Sequence, residues 1–205
     1  MNSSFLNKFK ITNDDSNPHA DFPAEVGDNS FKRIISAFGG KTFNGGLYRV
    51  IQTQNLETSK KVLEGIFPEY IGVIQPFAYD WLGRHFAVDL SSNESNPSIL
   101  LLEVGAGDAL IIPADIESFH DTILPKQTNS ALASKFWKEW SSINKSDLPY
   151  TDCVGYKTPL FLGGDDDLPN LEISNLDVYL EVCSQMRGKV RGLPAGTKIG
   201  SISVR

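Results

Sequence analysis

The segment from Tyr70 to Pro113 constrains the fold more than any other part of the chain. Four short β-rich runs, Tyr70 to Phe77, His85 to Leu90, Ile99 to Val104 and Ala109 to Ile112, are separated by turn clusters at Asp80 to Gly83, Ser91 to Pro97 and Gly105 to Asp108. A parallel crossover consumes a dozen or more residues, and these connections are too short for one. The pattern predicts an antiparallel meander of about four strands.

Helical patterning surrounds that segment. Phe5, Leu6 and Phe9 have helical spacing, after which the polar run Thr12 to Pro18 predicts a loop. Phe31, Ile34, Ile35 and Phe38 fall at i, i+3, i+4 and i+7, with Asn29 or Ser30 as N-cap and Gly39-Gly40 as C-cap. Gly46 to Gln52 reads as a strand, and Leu56 to Phe67 as an amphipathic helix stopped by Pro68. Beyond the meander, Asp115 to Leu124 and Ala131 to Ile143 read as helices, and residues 144–170 as a loop with an apolar island at Leu160 to Leu162. A last helix runs from Leu176, capped by Ser174 or Asn175, to Gly188. The expected fold class is α+β, a central antiparallel β-sheet with helices packed around it. No internal repeat is visible.

With 205 residues, 40% hydrophobic and 21% charged, the chain has enough apolar surface to exclude disorder and to fold without a disulfide or metal staple. Cys153 and Cys183 form no CxxC pair, and Met1 to Asn13 lacks a leader's apolar stretch, so a cytoplasmic, reducing location is expected. Apolar runs such as Ile99 to Leu102 are four residues long, against the ~20 needed to span a bilayer, so no membrane contact by spanning is expected. The formal net charge is −6, which argues against direct nucleic-acid binding through a broad basic face. That charge is uneven. Residues 186–205 carry Arg187, Lys189, Arg191, Lys198 and Arg205 with no carboxylate, so residues 1–185 are an acidic body with 14 cations against 25 carboxylates. The basic tail reads as cations suited to a helix C-terminus followed by a solvated segment, with a phosphate or lipid contact as the other reading.

Motifs of catalysis are absent or incomplete. Gly39-Gly40-Lys41-Thr42 resembles the end of a phosphate loop, but Ile35 stands where its first glycine belongs and a helix precedes it. Gly105-Ala106-Gly107 lacks a third glycine, Leu110 occupying that place, and reads as a hairpin turn. His19, His85 and His120 have no metal-ligand spacing. His85 reads as a hydrogen-bonded sheet histidine and His120 as a helix-surface partner of Asp121, although a base oriented by that carboxylate is the alternative. No GxSxG elbow is present. Asp165-Asp166-Asp167 lacks the spaced ligands of a calcium loop and reads as a solvated acidic turn suited to a basic partner. No catalytic, cofactor-binding or metal-binding residue is assigned, and no cofactor is expected. Phe77, Tyr79, Trp81, Phe86, Phe136, Trp137 and Trp140 read mainly as core, with one or two as interface anchors. The candidate partner-contact residues are Asp165, Asp166, Asp167, Trp81 and Trp140.

Four strings go further by resemblance: Asn44 to Val50, Pro76 to Ala87, Tyr156 to Gly164, and Leu171-Glu172 with Asp177-Val178-Tyr179. They resemble the bacterial family that joins an N-terminal GAD-like domain to a C-terminal type VI secretion immunity domain, over roughly residues 20–195. One departure is Leu180, where such proteins often carry tryptophan. The resemblance implies a shape similar to other α+β immunity proteins, including the SUKH superfamily. It also implies a division into a GAD-like portion, 1–125, and an immunity-like portion, 126–205, packed as one unit. The implied function is an antitoxin that occludes a cognate toxin, expected to be a basic nuclease. The family supplies no catalytic residues to carry over. Arg49 and Arg84, inside the first two strings, are expected to make internal charge-assisted hydrogen bonds. Two other readings remain at this level: a regulatory or scaffold protein of the same fold, and a metal-assisted hydrolase using Asp165 to Asp167 with His85 or His120.

Overall fold

The computed structural model describes residues 3–17, 22, 29–91, 97–145, 147–193 and 197. Its centre is a seven-stranded sheet in sequential order, every neighbouring pair antiparallel: β1 (Ile11–Asp14), β2 (Lys41–Phe43), β3 (Tyr48–Val50), β4 (Ile74–Asp80), β5 (His85–Asp89), β6 (Ile99–Glu103) and β7 (Asp108–Ile112). The meander has the four antiparallel strands that the turn spacing predicts, with the first shifted from Tyr70–Phe77 to Ile74–Asp80, and β1 to β3 extend it. β1 takes Thr12 to Asp14 out of the loop expected at Thr12 to Pro18, while residues 15–17 are loop and Pro18 lies outside the described residues. All four residues of β1 are exposed, so its pairing rests on backbone ladder bonds that leave no apolar alternation in the sequence.

Helices cover both faces. On one, α1 (Ser3–Lys8), α2 (Asn29–Phe38) and a segment of α4 (Ile116–Ser118), a π-helical turn (Phe119–Ile123) and α5 (Leu124–Lys126) bury Phe5, Phe38, Phe119 and His120 against Tyr48, Phe77 and Phe86. On the other, α3 (Leu56–Ile66) and the long C-terminal helix cover Tyr79 and His85. Strand alternation sets this division, since Tyr48 and Arg49, like His85 and Phe86, are consecutive and point to opposite faces. α2 ends as its sequence predicts, with Gly40 at φ +84 and a side chain there blocked by the backbone of Asp15 and Ser16.

The helix predicted over Ala131 to Ile143 is broken. α6 (Thr128–Leu132) and α7 (Ser134–Ile143) meet at Ala133, whose left-handed backbone (φ 47, ψ 43) turns the chain between them. The predicted loop 144–170 contains β8 (Asp152–Tyr156), which pairs with β9 (Leu171–Asn175) in a second, two-stranded sheet before α8 (Leu176–Val190). β8 has no apolar alternation, and Gly155 at its centre marks a close approach: a Cβ there would meet the Tyr179 ring at 2.5 Å. α8 runs two residues past its predicted end at Gly188. One hydrophobic cluster includes buried residues of both sheets, from Phe5 to Cys183.

Candidate interaction surface

Trp81 and Trp140, offered by the sequence as contact anchors, are inside. Trp81 follows β4 directly, is fully buried, donates Nε1–H to Leu132 O at 3.0 Å and packs against Phe136, Trp137 and Trp140 at 5.4 to 6.1 Å between ring centres. Its carbonyl accepts from Val154 N at 2.7 Å. The residue binds the large sheet to α7 and β8, and the satisfied indole N–H explains why so large an amphipathic side chain sits dry. Trp140 is 4% exposed in the same stack.

Asp165, Asp166 and Asp167 are exposed, as a solvated turn requires. The turn is fixed from within. Asp166 Oδ1 accepts from the Tyr156 hydroxyl at 2.6 Å, Asp167 caps the Asn170 amide at 3.1 Å, and Asn170 Nδ2 donates to Asp165 O and Thr158 O at 2.8 Å each. Gly164 admits that closure, since a Cβ on it would collide with Thr158 O. The three carboxylates are thus held on a braced loop facing solvent.

Between this loop and the large sheet lies an ion network. Asp80, fully buried, accepts from Arg84 Nε (2.8 Å) and Nη2 (2.6 Å) on Oδ2, and from the amides of Leu82 and Arg84 on Oδ1. Arg84 Nη1 reaches Glu103 at 2.9 Å and Nη2 reaches Ala131 O at 3.2 Å. Burial opposes the Arg84 charge, but its two carboxylates outweigh that and hold its pKa above the ordinary value. Arg49, also predicted to bond internally, is treated differently. Its Nη2 donates to Leu148 O and Pro149 O at 3.1 Å, its guanidinium lies 5.4 Å from the Tyr79 ring centre, and Nε and Nη1 have no partner. No spacing in the sequence marks that difference.

The histidines bear on chemistry. His120 faces the aromatic core rather than the helix surface where pairing with Asp121 would put it. Its Nδ1–H donates to Ile116 O at 2.7 Å, so Nε2 accepts the Tyr48 hydroxyl at 2.9 Å. The π-helical turn carries this side chain under Phe5 and Phe77, which sequence periodicity at 3.6 residues does not anticipate. His85 is the sheet histidine expected, donating Nδ1–H to Gly83 O at 2.9 Å and stacking on Tyr79. Burial pushes both imidazoles down to about 4, so both are neutral near pH 7. His85 lines a cleft of about 140 Å³ together with Tyr79, Tyr150, Ser59 and Asp177. The two tyrosines spend their hydroxyls on backbone, Tyr79 on Tyr150 O and Tyr150 on Val50 O, which leaves the cleft a structural joint between α3, α8 and the sheet. Among the described residues, no three His, Cys, Asp or Glu side chains gather as a metal site. Cys153 and Cys183 are buried free thiols, and burial raises the pKa of each. His19 lies outside the described residues.

The basic tail is used in part. Arg187 Nε and Arg191 Nη2 both donate to Ile66 O, at 3.0 and 2.7 Å, so these cations cap the end of α3 as well as suiting the end of α8. Lys198 and Arg205 lie outside the described residues, and no helix among those described is long and apolar enough to cross a membrane.

Residues 134–187 match the family model described as T6SS immunity protein Tdi1, C-terminal. That stretch opens at the first residue of α7 and takes in β8, β9 and most of α8. No curated protein is matched in sequence. Among solved structures, the crystal structure of Atu4351 from Agrobacterium tumefaciens superposes with a TM-score of 0.57 over 90% of this chain and 89% of that one, at 13% identity, a likeness of fold.

Proposed function

We propose that this chain is an immunity protein that binds a cognate toxin delivered by type VI secretion, a basic nuclease, and neutralises it in the cytoplasm by covering its active site. The match of residues 134–187 to a type VI immunity domain carries this reading. The charge distribution supports it: a nuclease is basic where it holds phosphates, and an acidic body gains association rate from long-range attraction. The braced Asp165–Asp167 loop lies within the matched stretch and faces solvent. In this reading the chain divides into a GAD-like portion, 1–125, and an immunity-like portion, 126–205, joined through Trp81.

The test is co-expression with candidate type VI nuclease toxins, including any encoded beside this gene. The reading expects growth rescue, a co-purifying complex and loss of the toxin's DNA-degrading activity on titration with this protein. A neighbouring toxin that neither binds nor loses activity would overturn it.

A further inference from the structure

Where the β6–β7 turn meets α7 and the acidic loop, the surface folds into a notch of about 100 Å³, far below the ~300 Å³ of a small-molecule pocket. Its lining includes Glu103, Ala106, Phe136, Leu160, Tyr156 and Asp166, together with the largely buried Arg84. That cation is already answered by Asp80 and Glu103, so one cation stands among three carboxylates when Asp166 is included. Asp166 Oδ1 is taken by the Tyr156 hydroxyl, and no described residue donates to its Oδ2; Glu103 likewise offers Oε2. The site is therefore small, net negative, aromatic-walled and short of donors.

We infer that this notch receives a single arginine side chain from the toxin, its guanidinium donating to Asp166 and Glu103 and resting against Phe136 and Tyr156. This rests on the immunity reading for the identity of the partner. Guanidinium suits the site because it supplies several N–H donors to spread carboxylates and stacks on aromatic faces, where a compact ammonium would stay hydrated. Burial, the hydrogen bond to Asp166 and that carboxylate's charge raise the Tyr156 hydroxyl above its ordinary range, so it remains a donor that orients Asp166. The notch lies across the seam, with Glu103 and Ala106 from the large sheet and Phe136, Tyr156 and Asp166 from the matched stretch. A partner anchored there reads both portions at once.

Two experiments separate the notch from the reading beneath it. Titration of the protein with N-acetyl-arginine amide, followed by amide NMR, should give saturable shifts at Gly105, Ala106 and Tyr156. These shifts should vanish in Ala106→Arg, which fills the notch with the chain's own guanidinium, and weaken in Asp166→Asn, which keeps the Tyr156 bond but not the charge. Absence of saturable shifts in the wild type overturns the notch whatever the partner does. With the toxin identified by co-expression, Ala106→Arg and Asp166→Asn should each weaken binding at least tenfold, mainly through dissociation, while Asp177→Asn on α8 changes it less than twofold. Unchanged binding by both notch variants, with unchanged melting curves, overturns the notch and leaves the immunity reading standing. Loss of all binding by the wild type overturns the immunity reading instead.

Discussion

The central strands β4 to β6 and the hairpin β8–β9 solve the placement of polar residues in opposite ways. β4 is buried along its whole length, and the polar side chains around it, Asp80, Arg84 and His85, all end on partners inside the protein. β9 exposes Glu172, Ile173 and Asn175, and the loop leading to it turns three carboxylates toward solvent. The cause is layering. Helices press on the central sheet from both sides, so a polar group there must be satisfied internally or cost several kcal/mol, whereas a two-stranded hairpin leaves surface exposed. The polar residues of the first region are thus spent wholly inside the fold, whereas those of the second brace their own turn and helix cap through Asp166, Asp167 and Asn175 while still facing solvent.

The sharpest way to break that comparison is to cut the joint between the regions. Trp81→Ala removes the largest fully buried side chain and leaves Leu132 O without its donor. The expected loss is about 3–5 kcal/mol, enough to unfold a marginal domain. Chemical denaturation should show one cooperative transition moved far toward lower denaturant; a shift below about 1 kcal/mol would mean that the regions are held together elsewhere.

This joint shows how far the sequence could be read. β4 to β7 were legible because their apolar runs are long and their turns carry Gly, Asp and Asn. β1 and β8 were not, because an exposed edge strand and a glycine strand beneath a tyrosine ring leave no alternating pattern. The exposure of Asp165 to Asp167 followed from composition. The burial of Trp81 did not, since it depends on a carbonyl 51 residues away. The notch draws on Glu103, Phe136 and Asp166 from three distant segments, and only the fold assembles it.

Acid comes next, because His85 in β5 and His120, packed against Phe77 of β4, are both buried at the central sheet. His85 and His120 have pKa values near 4 in the folded protein against 6.5 in the unfolded chain, burial being the cause. Below 6.5 the unfolded state takes up protons that the folded state does not, so stability is full above pH 6.5 and falls as pH drops toward 4. Each histidine contributes a slope of ~1.4 kcal/mol per pH unit in that window. Denaturation at pH 7, 6 and 5 should show the decline, and a flat profile would place the imidazoles in water.

Gly155→Ala probes the covered side of the hairpin. The added methyl must displace the Tyr179 ring, and overpacking of this kind costs about 1–3 kcal/mol. A neutral substitution would show that α8 sits on β8 more loosely than the close approach implies.

The smallest expected effect on stability belongs to the acidic loop. Replacing Asp165, Asp166 and Asp167 together by asparagine keeps an acceptor for the Tyr156 hydroxyl and a cap for the Asn170 amide, because asparagine caps about as well as aspartate. The melting point should hold to within about 0.5 kcal/mol of stability. The association rate with a basic toxin should fall, since three charges leave an acidic body whose attraction reaches ~10 Å at 0.1 M salt. Stopped-flow association at low and high ionic strength separates the two roles: a lower rate with a shallower salt dependence marks a steering loop. A rate unchanged at low salt, in a variant that melts normally, would remove the steering role of the loop and leave Asp166 only its short-range contact in the notch.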